Sequence, residues 1–179
     1  MNTGDALSFL GGAYLELGDS RQAVPLLEDA VERWTRFQHR PMLGWFTAVL
    51  GEACLLAGNA GRARELAERG RGIADGVGFK YATGWACRVL GRLARLEGRA
   101  DEAERELEAG LAAFRAIGAR FEAARTMLDL ATGAIARRDA AGGARLAREA
   151  LAQLAGLGAP AYEERARQLA EAATSEPGA

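Results

Sequence analysis

Two tryptophans forty residues apart, Trp45 and Trp85, each follow a glycine, in GWFTAVLG from Gly44 and GWACRVLG from Gly84. From Trp85, helical steps of three, four and three residues reach Arg88, Arg92 and Arg95, a single stripe on one helix face. The same steps from Trp45 reach Ala48, Glu52 and Leu55, and Arg125 takes the matching place in a further block. Trp and Arg are the residue types enriched at binding hot spots. Indole rings grip apolar side chains, and guanidinium groups hold carboxylates through charge-assisted hydrogen bonds. The candidate partner-binding set is therefore Trp45, Glu52, Trp85, Arg88, Arg92 and Arg125. Gly44 and Gly84 would give a neighbouring backbone room beside each ring. The same recurrence also fits structural packing, with the rings filling space against the preceding helix end.

Other chemistries find no support in the residue pattern. There is no metal-ligand spacing, no nucleophile elbow and no Gly-rich phosphate loop after a strand. His39, the one histidine, precedes Pro41 at a helix boundary and reads as a surface residue. Cys54 and Cys87 stand alone without CxxC spacing, as reduced thiols do. The expectation is a protein without catalytic residues, metal or cofactor. With 23 basic against 24 acidic residues, no net field draws it to nucleic acid or an anionic membrane. The cations are almost all Arg, with Lys80 the single Lys. No apolar run approaches the ~20 residues of a membrane span, and MNTGDALSF lacks the regions of a signal peptide. A cytoplasmic location is the expectation.

The elements that position the candidate residues follow from an internal repeat. Blocks starting at Leu10, Leu50, Leu90 and Leu130 align over forty residues without a gap. Their second column holds Gly11, Gly51, Gly91 and Ala131; the ninth holds Gly18, Gly58, Gly98 and Arg138; the fourteenth holds Ala23, Ala63, Ala103 and Gly143. The ninth-column glycines suit the left-handed turn after a helix, and Asp101 with Glu104 reads as a capping box. Leu27, Ala30, Trp34 and Phe37, and their counterparts Leu107, Gly110, Phe114 and Ile117, form a core stripe at helical spacing. Gly70 and Gly110 in mid-helix point to close helix crossings. Each block is thus two antiparallel helices whose apolar faces are buried only by stacking. A final helix opened by Pro160 closes the array.

The register Leu10, Gly11, Tyr14, Gly18, Ala23, Leu27, Ala30, with Leu50, Gly51, Gly58, Ala63 and Leu90, Gly91, Gly98, Ala103, resembles the tetratricopeptide repeat over residues 5–157. The forty-residue period is similar to the MalT-like type found in sensor halves of large bacterial transcription activators. The resemblance implies an all-α, right-handed superhelical solenoid, with first helices lining a concave groove that receives a protein or peptide. Ser8, Gly12 and Val49 stand where the class that clamps chaperone carboxylates has Lys and Asn, so that activity is not implied.

The resulting expectation is one domain over residues 1–173, with repeats at about 5–40, 41–78, 79–118 and 119–158, a capping helix at 160–173 and a disordered tail at 174–179. Its function reads as a non-catalytic interaction scaffold whose partner offers an acidic residue or terminal carboxylate. The alternatives are an effector-sensing module of a larger bacterial regulator, or a protein that mainly self-associates as a homodimer through its N-terminal end, where Leu7, Phe9 and Leu10 cluster.

Overall fold

The computed structural model describes residues 3–175, which form nine helices with no strand among them. In chain order these are α1 (Thr3–Glu16), α2 (Ser20–Arg36), α3 (Arg40–Leu56), α4 (Ala60–Asp75), α5 (Lys80–Leu96), α6 (Ala100–Ala116), α7 (Arg120–Ala136), α8 (Ala140–Leu154) and α9 (Pro160–Ser175). From α2 onward the helices begin at residues 20, 40, 60, 80, 100, 120, 140 and 160. One helix with its turn takes twenty residues, so a pair takes forty. The excess over the common 34-residue repeat lies in the helices, five of which run 17 residues. The last helix continues to Ser175, two residues beyond the expected cap, and residues 176–179 of the expected tail lie outside the described residues.

A left-handed residue two places before each start sets this beat: Gly18, Gln38, Gly58, Gly78, Gly98, Gly118, Arg138 and Gly158, with φ from 54° to 80°. The chain then re-enters a helix through a cap. Asp19, His39, Asn59 and Asp139 each accept a hydrogen bond from the backbone N–H three residues on. His39 is thus a cap rather than an idle surface residue. The expected capping box at Asp101 and Glu104 does not form. Gly98 fixes Arg99 at the cap position, and Asp101 sits inside the first turn of α6, where its charge suits the helix dipole.

Gly70 and Gly110 mark the tight crossings. A Cβ on Gly70 would lie 2.9 Å from Ala48 N and Gly44 O, and one on Gly110 would lie 3.1 Å from Gly84 O. Gly84 also leaves room for the Phe114 ring, 2.7 Å from where its Cβ would be. The glycine before each tryptophan therefore admits the second helix of its own pair, and the expected approach beside the indole is replaced by this crossing. Leu27, Trp34, Leu107 and Phe114 are buried as the stripe requires, and Trp34 Nε1 donates 2.8 Å to Ser8 Oγ. Phe37 and Ile117 are corrected: each has passed the end of its helix and is about half exposed.

The second helices are stitched across repeats by ion pairs of Glu28 with Arg62, Arg71 with Glu106 at 3.0 Å, and Arg115 with Glu149 at 2.6 Å. These are largely solvent-facing and contribute little each. The first helices converge on the opposite side, where α3 packs on α5 and α9 on α7. No helix is long and apolar enough to cross a membrane among the described residues.

Candidate partner-binding site

The six candidate residues do meet, on the side where α1, α3, α5, α7 and α9 converge, but they do not line an open groove. Arg88 is fully buried, and Trp85, Glu52 and Arg125 are nearly so. Arg88 donates to Glu122, and its Nη2 faces Glu52 Oε2 at 3.6 Å, beyond hydrogen-bond reach. Arg92 bridges two helices, donating through Nε to Asp129 Oδ2 at 2.7 Å and through Nη1 to Glu52. Arg125 pairs with Glu16 of α1 at 2.7 Å and lies 3.6 Å from both Glu52 and Glu122. Arg165 of α9 joins at Asp129, 3.3 Å away.

The buried Arg88 and Arg125 and the partly exposed Arg92 thus face three buried carboxylates, Glu52, Glu122 and Asp129. The stripe that reads as a basic patch in sequence is largely neutralised, with Arg95 reaching only the Asp129 backbone carbonyl at 3.2 Å. Burial alone would raise the Glu52 carboxyl, yet Arg92, Arg88 and Arg125 hold it down at about 2. Burial likewise works to raise Asp129, and Arg92 with Arg165 overcomes it, leaving the carboxyl below its ordinary range. Removing either sign would leave uncompensated charge in a poorly polarisable interior.

Aromatic rings cover this network at the N-terminal ends of the same helices. The Arg88 guanidinium lies 4.3 Å from the Trp85 ring centre, a cation–π contact. Arg125 lies over Tyr162 at 5.1 Å, with Trp85 and Phe121 slightly farther. Trp45 stacks on Phe46 at 4.5 Å and meets Tyr81 edge-on at 4.9 Å, while Phe9 closes over both Trp45 and Phe46. Trp85 is therefore part of the core; Trp45, half-buried, lies at its margin. A cavity of about 270 Å³ opens there, lined by Phe9, Gly12, Trp45, Phe46, Phe121 and Arg125 among others. Trp45 Nε1 and Arg125 Nε are buried without an acceptor. Trp85 Nε1 lies near the Tyr81 hydroxyl without the geometry of a full hydrogen bond.

Residues 2–75 match the family model of the tetratricopeptide repeat. That stretch carries tetratricopeptide repeats. Solved structures place the rest of the solenoid in the same architecture. BtubC (BKLC) from P. vanneervenii is similar at 17% identity, with 99% of this chain and 84% of that chain covered and a TM-score of 0.66. The nearly identical TPR-like repeats of a Podosopora anserina protein assigned as a kinesin light chain are similar at 20% identity, covering 97% and 87%, with a TM-score of 0.65. No curated protein sequence matches the chain significantly. At these identities the likeness is one of tetratricopeptide fold, and the site must be read from its own residues.

Sequence reasoning found the guanidinium groups and Glu52, and missed Glu122 and Asp129, which complete the neutralisation. Glu122 and Asp129 follow Arg88 and Arg92 by 34 and 37 residues, and Glu52 precedes Arg92 by 40. Searching for opposite charges about one repeat apart would have exposed the network. Tyr81, Phe121 and Tyr162, also missed, stand at the second or third residue of α5, α7 and α9.

Proposed function

We propose that this chain is a non-catalytic interaction module that takes an apolar side chain from a partner protein into the mouth formed by α1, α3 and α7. The observation that carries this reading is the aromatic-walled cavity itself, bounded by the exposed Phe9 and by Trp45, whose buried indole N–H lacks an acceptor. Leaving such a donor unpaired costs about 1–3 kcal/mol. A partner's carbonyl or carboxylate reaching it after a small rotation of the indole would recover that cost. Because the guanidinium groups are matched by the chain's own carboxylates, the anchor is apolar first, and a terminal or side-chain carboxylate would compete with Glu16 for Arg125.

Gly12 gives a clean test. It lines the cavity on α1, and a Cβ there meets nothing within 4 Å. Peptides selected on the wild-type protein from a random library should bind Gly12→Leu at least tenfold more weakly, while the melting temperature holds or rises with the better helix former. Undiminished binding to Gly12→Leu would place the partner elsewhere. A second reading, an effector-sensing module of the MalT-like kind, is favoured by the cavity's size, which suits one small apolar molecule. It is supported if a small-molecule thermal-shift screen yields ligands that Gly12→Leu excludes and no peptide is selected.

A further inference from the structure

We propose that the rim formed by the α2–α3, α4–α5, α6–α7 and α8–α9 turns is a second docking surface, built for an extended acidic segment of a partner protein. Phe37, Val77, Ile117 and Leu157 recur there at forty-residue spacing, and each is 38–54% exposed. Each immediately precedes a left-handed residue; Phe37, Val77 and Ile117 share one turn geometry, in which the N–H of that left-handed residue donates to the carbonyl three places back, whereas Leu157 sits in a longer turn with a further left-handed glycine at Gly156. Three places on stand Arg40, Lys80 and Arg120, the first residues of α3, α5 and α7. The rim therefore alternates an apolar and a cationic column along the array.

Helix stability does not account for the cations. A positive charge at a helix N-terminus opposes the dipole, and neither α3 nor α5 has an acidic residue in its first turn to offset it. The side chains of Arg40 and Lys80 make no hydrogen bond or ion pair among the described residues, and the Arg120 side chain reaches only the Gln153 carbonyl at 2.9 Å. The nearby Asp75 is engaged by Thr83 and Arg71. Positive charge is thus unspent on this rim, in contrast to the neutralised network inside. At the far end a cavity of about 520 Å³, lined by Phe121, Leu157, Pro160 and Tyr162, extends the apolar column.

Charge complementarity fixes the partner as acidic, and the curvature fixes it as extended. Adjacent helices lie about 10 Å apart, and an extended chain advances about 3.3 Å per residue, so one rung corresponds to about three residues. The first helices curl until α9 touches α1, and a straight helix could not follow such an arc. An apolar residue at every third position, with carboxylates between, matches the two columns.

The test uses two fluorescein-labelled 15-residue peptides, five repeats of Asp-Leu-Ser and five of Lys-Leu-Ser, titrated by fluorescence anisotropy. The Asp peptide should bind the wild type, and its affinity should fall as salt rises. The double variants Arg40→Glu/Lys80→Glu and Phe37→Ser/Ile117→Ser should each weaken it at least tenfold with an unchanged circular dichroism melt, whereas Gly12→Leu should leave it intact. Equal binding of the Lys peptide, or less than a twofold change in both double variants, overturns the proposal. It is equally overturned if the wild type sediments as a dimer that Phe37→Ser/Ile117→Ser dissociates, since a second copy of the chain would then cover the ridge.

Discussion

Tyr162 Oη in the ninth helix donates a 2.6 Å hydrogen bond to Glu16 Oε2 at the end of the first, across 146 residues of sequence. Glu16 also takes Arg125 of α7 at 2.7 Å. One carboxylate thus ties the two ends of the array to its interior, and the convergence of the first helices becomes a closed contact. Removing the hydroxyl in Tyr162→Phe should cost about 1 kcal/mol, read as a lower urea midpoint. Hydrogen exchange should quicken in α9 before any other helix.

Acid should reach the same interior from another direction. Glu52 titrates at about 2 in the folded chain against an ordinary 4.5, and Asp129 is also depressed. A carboxyl with a lowered folded value contributes stability above its unfolded value and loses it as pH falls toward the folded one. Stability should therefore hold from pH 7 to about 5 and decline between about pH 4.5 and 2. Glu52 alone accounts for on the order of 3 kcal/mol of that decline. Chemical denaturation across a pH series measures it, and a rise in stability on acidification through this window would refute the network.

Arg88 is the centre of that network and has no exposure to solvent. Arg88→Met keeps the bulk beneath Trp85 but leaves Glu122 and Glu52 short of a counter-charge. The expected loss is about 3–5 kcal/mol, with a change in tryptophan fluorescence as the stack on Trp85 is lost. A loss below 1 kcal/mol would mean that the remaining guanidinium groups suffice.

The forty-residue beat was legible because it rests on local chemistry. Gly18, Gly58 and Gly98 declare left-handed turns, and Leu27, Trp34, Leu107 and Phe114 keep helical spacing. The fate of Trp85 and Arg88 was not legible in the same way. Their burial depends on how far the array curls, and that curvature is set by sums of helix crossings such as Gly70 against Gly44 that no single position announces. A stripe of arginines looks alike whether it faces water or faces Glu122 and Asp129 on neighbouring helices.

Gln38 and Arg138 occupy left-handed positions that glycine fills at the other six turns. That conformation costs a residue with a Cβ roughly 1–2 kcal/mol, and the freedom glycine gains in the unfolded chain offsets part of it. Gln38→Gly and Arg138→Gly should each raise stability by about 0.5–1 kcal/mol, additively because the turns are far apart. Thermal melts of both singles and the double check this.

The opposite outcome is expected at the crossings. A Cβ on Gly110 already meets the Gly84 carbonyl and Cys87 at 3.1 and 3.2 Å. Gly110→Leu should therefore lose about 1–3 kcal/mol through overpacking despite its better helix propensity, as a lowered denaturant midpoint will show.

The bond between Tyr162 and Glu16 also counts. In an open array, one more pair of helices merely lengthens the surface. Here an additional pair spliced between α8 and α9 would carry Tyr162 past Glu16, leaving that carboxylate and Arg125 facing a different helix. Growth by duplication between α8 and α9 would thus undo the clasp.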